Sequence, residues 1–236
     1  QFFMIGALVV VYLYNFKVLP LERAPIETVH LQNILAFLNV GLAAFVLTAV
    51  AGRFAYPAVS LEGEAFWIVL AGPIGLKTFL WIKFFIYVVP LLFLAETLIV
   101  ATNLLLEVSG FMMGLSVATI AFMVPAVTAL AVGLGAAYPD FNAENAAQAV
   151  TSFGGLVFML LAASYIPFII LLEAGPVYHF MKASLFNRQL PETIHYWGTG
   201  AFLLAAVTSI LTTIGAMRYG MRRLTGQARK TIRPPG

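Results

Sequence analysis

Residues 111–138 contain no charged side chain, and residues 150–172 repeat the pattern. Runs of this length fix the solvent before they fix anything else. The hydrocarbon core of a bilayer is about 30 Å thick, so a crossing helix needs about 20 apolar residues at 1.5 Å each. Charged residues divide the rest of the chain into further candidates. They give six spans, at residues 2–19, 31–51, 77–106, 111–138, 150–172 and 196–217. The runs are continuous and far too long for barrel strands, which alternate over about 10 residues. The predicted fold class is therefore all-α integral membrane, with the whole chain forming one transmembrane domain.

Composition agrees. Of the 236 residues, 61% are hydrophobic and 10% are charged, against about 25% charged in soluble domains. This excludes a soluble globular enzyme, a disordered tail and a nucleic-acid-binding domain. There is no cysteine, so disulfide scaffolds and thiolate metal sites are excluded as well. His30, His179 and His195 are far apart and show no metal-ligand spacing. The chain enters an apolar stretch directly from Gln1, without the basic start of a signal peptide. Upstream residues are expected to be missing.

Lysine and arginine set the expected orientation. Arg218, Arg222, Arg223, Arg229, Lys230 and Arg233 crowd the tail at 218–236. With that tail in the cytoplasm, Arg53, Lys77 and Lys83 also fall inside, and Lys17, Arg23, Lys182 and Arg188 fall outside. Both ends of the segment are then cytoplasmic. Ala129, Gly133 and Ala137 recur every four residues on the fourth span, and Ala201, Ala205 and Ser209 do so on the sixth. Small residues at this spacing let helix backbones approach where lipid gives no hydrophobic drive.

Two cytoplasmic loops carry the chemistry. In the first, GRFAYPAVSLEGEAFWIVLAGP, Pro57 ends the second span and Ser60 is placed to cap a short helix at about 60–72. Glu62 and Glu64 suit the positive end of its dipole. Gly72-Pro73 stops it, and Tyr56 and Trp67 suit a headgroup boundary. This reads as an interfacial helix: either a plain elbow orienting the third span, or a docking element presenting acids beside Phe66-Trp67. In the second loop, YPDFNAENAAQAVTSFGG, Pro139 ends the fourth span and Glu144 to Val150 can form about two turns. Asp140, Asn142, Glu144 and Asn145 face the same compartment, but no EF-hand spacing is present.

The segment SLEGEAFWIVLAGPIGLKTFLWIKF resembles the loop after the second helix of ATP-binding cassette (ABC) exporter permeases of the type-2 superfamily. The matching positions are Glu62, Phe66-Trp67, Pro73 and Lys83. The form with Arg53-Phe54, Pro57, Ser60-Leu61-Glu62-Gly63 and Phe66-Trp67 is similar to the C-terminal half of a group of large bacterial exporter permeases, as is PDFNAENAAQAVTSFGG. The resemblance implies that the first loop (Ser60, Glu62, Gly63, Glu64, Phe66, Trp67, Pro73) is a coupling helix on an ATP-binding subunit. The second (Asp140, Asn142, Glu144, Asn145) would be a smaller contact on the same subunit. It further implies a bacterial cytoplasmic membrane, surrounding lipid and a second transmembrane half, either another copy or the upstream half of the same permease. No GxxxxGK[ST] occurs. ATP and magnesium are thus expected on the partner and no cofactor or metal on this chain.

Glu96 is an acid deep in the third span, and Asn103 and Glu107 follow on the same predicted face. Such an acid either lines a transport path or makes a structural hydrogen bond. The stretch 173–195 reads as an external connection; the resemblance implies that residues 177–186 dip back into the outer leaflet, and the sequence equally allows a plain surface helix. Two rival classes stay open. One is an accessory subunit of a respiratory or photosynthetic complex, with His30 or His195 holding a chromophore. The other is an ion-coupled carrier using Glu96.

Overall fold

The computed structural model describes residues 10–11, 14, 28–141, 143, 145–185 and 192–232. In chain order these form α1 (Thr28–Phe54), two 3-10 turns (Tyr56–Ala58 and Ser60–Ala65), α2 (Phe66–Ala71), α3 (Leu76–Leu105), α4 (Gly110–Ala137), α5 (Ala146–Val150), α6 (Phe153–Leu185) and α7 (Glu192–Ile232). No strand occurs among the described residues. Among the described residues, five helices are long and apolar enough to cross a membrane, consistent with an integral membrane protein. The expected first span, 2–19, lies outside the described residues except for helical positions 10, 11 and 14.

The helices hold prolines that water-soluble helices seldom tolerate: Pro90 in α3, Pro125 in α4, and Pro167 and Pro176 in α6. In a bilayer the freed backbone groups find partners on neighbouring helices and on Ser or Thr side chains. Several hydroxyls inside the helices are satisfied locally. Thr102, Ser116, Thr128 and Thr208 each donate to the carbonyl four residues back, at 2.7–2.8 Å.

The chain divides into two compact units. One comprises residues 1–46, 93–123 and 165–208; the other comprises 47–92, 124–164 and 209–236. In the first, Phe37, Met112, Val177 and Met181 form a buried cluster. The Ser109 amide donates to the Asn33 side chain at 3.1 Å, and the Ser109 hydroxyl accepts from the Met112 amide at the start of α4. In the second unit, Gly133 of α4 lies against the backbone of Ala216 and Gly220 of α7, closer than any side chain allows. This is the approach that the small-residue stripe on the fourth span predicts, and Ala129 and Ala137 are buried beside it. Its counterpart on α7 is Ala216 and Gly220, one stretch beyond the predicted 201–205–209 stripe. Those three residues are buried all the same.

Several boundaries differ from expectation. α6 does not end at Leu172 but continues to Leu185. Glu173 is therefore a helix-interior residue, and the stretch described up to residue 185 is neither a loop nor a separate re-entrant helix; residues 186–191 lie outside the described residues. The expected basic tail is helical as far as Ile232. Glu107 is not on the face shared by Glu96 and Asn103: α3 ends at Leu105, and Glu107 takes φ 51° in the turn that follows.

Candidate functional site

The second unit brings together the two loops singled out in the sequence. The first leaves α1 through Tyr56, whose Pro57 fits an early position of its 3-10 turn. Tyr56 is wholly buried. Its hydroxyl shares a hydrogen bond of 3.0 Å with the Ser152 hydroxyl, 96 residues away, and its ring stacks on Phe158 at 5.9 Å. Ser152 in turn accepts from the Gly155 amide at the start of α6. Gly135 and Gly154 make this possible. A methyl on Gly135 would strike the Tyr56 carbonyl, and one on Gly154 would strike the Tyr56 hydroxyl and the Tyr138 ring.

Ser60 does not cap a helix. The 3-10 turn beginning there has Val59 at its cap position and no side-chain cap bond. Ser60 is buried, and its hydroxyl accepts from the Asp140 amide at 3.1 Å, across 80 residues. The predicted single helix over 60–72 is also interrupted. Gly63 has φ 51° and ψ −134°, a backbone state open to glycine. The α-helical part is Phe66–Ala71, and Gly72 turns the chain extended ahead of Pro73, the predicted stop.

Phe66 and Trp67 separate. Phe66 is 8% exposed, stacked on Phe141 of the second loop at 4.7 Å and edge-on to Phe79 of α3 at 6.2 Å. Trp67 is 66% exposed, and Leu61, Ile68 and Ile74 are each more than half exposed. One ring anchors the short helix and the other is exposed, as are three aliphatic side chains close to it in sequence. Exposed apolar groups of this size mark a contact with lipid or protein.

Glu62 forms an ion pair with Lys83, whose ammonium also lies 5.5 Å from the centre of the Phe79 ring. The acid predicted to act on a helix dipole instead ties the loop to α3. Glu64 belongs to the same 3-10 turn. In the second loop, Asn145 caps α5 by accepting from the Gln148 amide at 2.9 Å. Asn142 and Glu144 lie outside the described residues. Tyr138 closes the corner, with its hydroxyl 2.9 Å from that of Tyr219 and its ring edge-on to Phe153. The Tyr219 bond, followed by partial burial, raises the Tyr138 phenol above its ordinary range. No group of three or more metal-ligating side chains occurs among the described residues.

The first unit holds Asn103, Glu96 and Glu173. Asn103 is wholly buried and its amide donates to the Met113 sulfur at 3.7 Å, while its carbonyl oxygen has no partner. Glu96, two helical turns earlier on α3, has one buried carboxylate oxygen without a partner. Sequence reasoning passed over a more buried acid. Glu173 of α6 is 3% exposed, and both of its oxygens accept from the Thr119 hydroxyl of α4, at 3.1 and 2.9 Å. The signal was present: Ala174, Val177 and Met181 continue the apolar pattern past the charge, and one acid does not end a helix.

A family model described as "Putative ATP-binding cassette" matches residues 1–227. No curated protein and no solved structure gives a significant match.

Proposed function

The chain belongs to the family so described, and we propose that its part in an ATP-binding cassette system is that of the membrane permease, moving a substrate out of the cytoplasm. ATP and magnesium are held by a separate nucleotide-binding subunit. The chain has no phosphate-binding GxxxxGK[ST] loop, and its composition suits the bilayer. A second transmembrane half, either another copy or an upstream half, completes the pathway. The segment sits in the bacterial cytoplasmic membrane with both ends in the cytoplasm.

The observation that carries this reading is the joined pair of loops. Segments about 80 residues apart are locked by Ser60 to Asp140, Tyr56 to Ser152 and Phe66 to Phe141, with Trp67, Leu61, Ile68 and Ile74 left outward. A lever needs a stiff root and a contact face; the three contacts and the exposed side chains support that reading. Closure of the ATPase pair would move it as a rigid body.

The test is co-purification of an ATPase with the full chain, followed by Trp67→Ala and Glu62→Gln. Loss of substrate-coupled ATP hydrolysis in an intact complex supports the docking role. Full coupling in both variants counts against it.

The unpartnered Glu96 oxygen favours one rival, an ion-coupled carrier. Transport driven by a proton gradient without ATP selects that reading instead.

A further inference from the structure

The first unit contains a cavity of about 730 Å³, lined among others by Phe111, Gly114, Phe180, Gly198, Phe202 and Glu173. The volume is that of a pocket for a small molecule. Its walls are apolar and aromatic, with the Phe111 and Phe180 rings stacked at 3.6 Å. Glu173 is the acid among them.

An ionised carboxylate has room for about four donors. Glu173 receives one hydroxyl, from Thr119, and no lysine, arginine or histidine among the described residues forms an ion pair with it. A buried acid in a membrane interior demands a partner, and this one is among the residues that line the cavity. A wholly apolar ligand leaves that demand unmet. A ligand with an ammonium group meets it while filling the apolar volume, and aromatic walls favour a cation further.

We infer that this cavity is a binding site for amphipathic cations: molecules with an apolar body and a protonated amine that pairs with Glu173. Binding here requires no ATPase, so its test stands apart from the coupling role proposed above.

The experiment compares dodecylamine with dodecanol on the purified full chain in detergent, with bound ligand read by native mass spectrometry. The two probes share a tail and differ in charge. The wild type is expected to bind the amine at least tenfold more tightly than the alcohol. Glu173→Gln, which keeps the shape and an oxygen for Thr119, is expected to cut that preference to below threefold. Gly114→Leu fills the cavity where no atom stands within 4 Å of the added Cβ; it is expected to weaken both probes at least tenfold while leaving Glu173 in place. Equal binding of amine and alcohol by the wild type overturns the proposal. So does an amine preference that survives in Glu173→Gln, or undiminished binding in Gly114→Leu. If Glu173→Gln does not fold, the wild-type comparison and Gly114→Leu decide the matter.

Discussion

The amide of Asp140 donates to the hydroxyl of Ser60 at 3.1 Å. This part-buried bond joins the two loops, with Ser60 buried and Asp140 partly exposed. Replacing Ser60 with alanine leaves that amide without its acceptor, at a cost of about 1–3 kcal/mol. Ser60→Ala is expected to lower the thermal midpoint by a few degrees, at about 2–4 °C per kcal/mol for a chain of this size. Proteolysis within 138–145 should speed up. An unchanged midpoint and cleavage rate would mean that the loops are held together without this bond.

Phe66 and Trp67 are adjacent in sequence and opposite in role. Phe66→Ala removes a buried ring and is expected to cost about 3–5 kcal/mol. Trp67→Ala changes an exposed position and is expected to stay within about 0.5 kcal/mol of the wild type, while uncoupling ATP hydrolysis in an intact complex. Thermal melts paired with coupled-ATPase assays separate the two effects. Equal destabilisation by both variants would show that Trp67 is a packing residue.

Gly133 meets the Ala216 backbone with no space for a methyl. Gly133→Ala must push α7 away from α4, at about 1–3 kcal/mol. A melt that shows no loss would mean that α4 and α7 can part at Gly133 without cost.

The Glu62–Lys83 pair is partly exposed, so its contribution to stability is expected to be small, about 0.2–1 kcal/mol. A double-mutant cycle with Glu62→Gln and Lys83→Met measures it. Any coupling energy should shrink as salt is raised. A larger, salt-insensitive value would place the pair in a drier setting than its exposure indicates.

Glu96→Gln keeps the side-chain volume and removes the charge. The expected outcome is reduced transport by an assembled complex of unchanged yield. Transport at the wild-type rate would assign Glu96 a purely structural place in α3.

The crossings were legible because the bilayer demands long charge-free runs, and residues 111–138 and 150–172 could be little else. Their ends were not legible. A buried acid such as Glu173 looks like a boundary until its partner Thr119, 54 residues away, is known. Ser60 misled for a related reason. Its type and position suit an N-cap, yet a tertiary donor claimed its oxygen. Phe66 and Trp67 looked like one patch because sequence gives no hint that Phe141 covers only the first. The candidate loops themselves were visible, since Gly, Pro and acidic residues stand out in so apolar a chain. What sequence could not supply was that the loops touch.

Gly135 and Gly154 hold Tyr56 from two directions without room for a single extra carbon. Such a joint has almost no backlash. In the proposed permease, a displacement applied at the turn would reach α4 and α6 directly, because little at this contact can compress first. A methyl at either glycine would force Tyr56 out of its seat and, on that proposal, weaken the transmission.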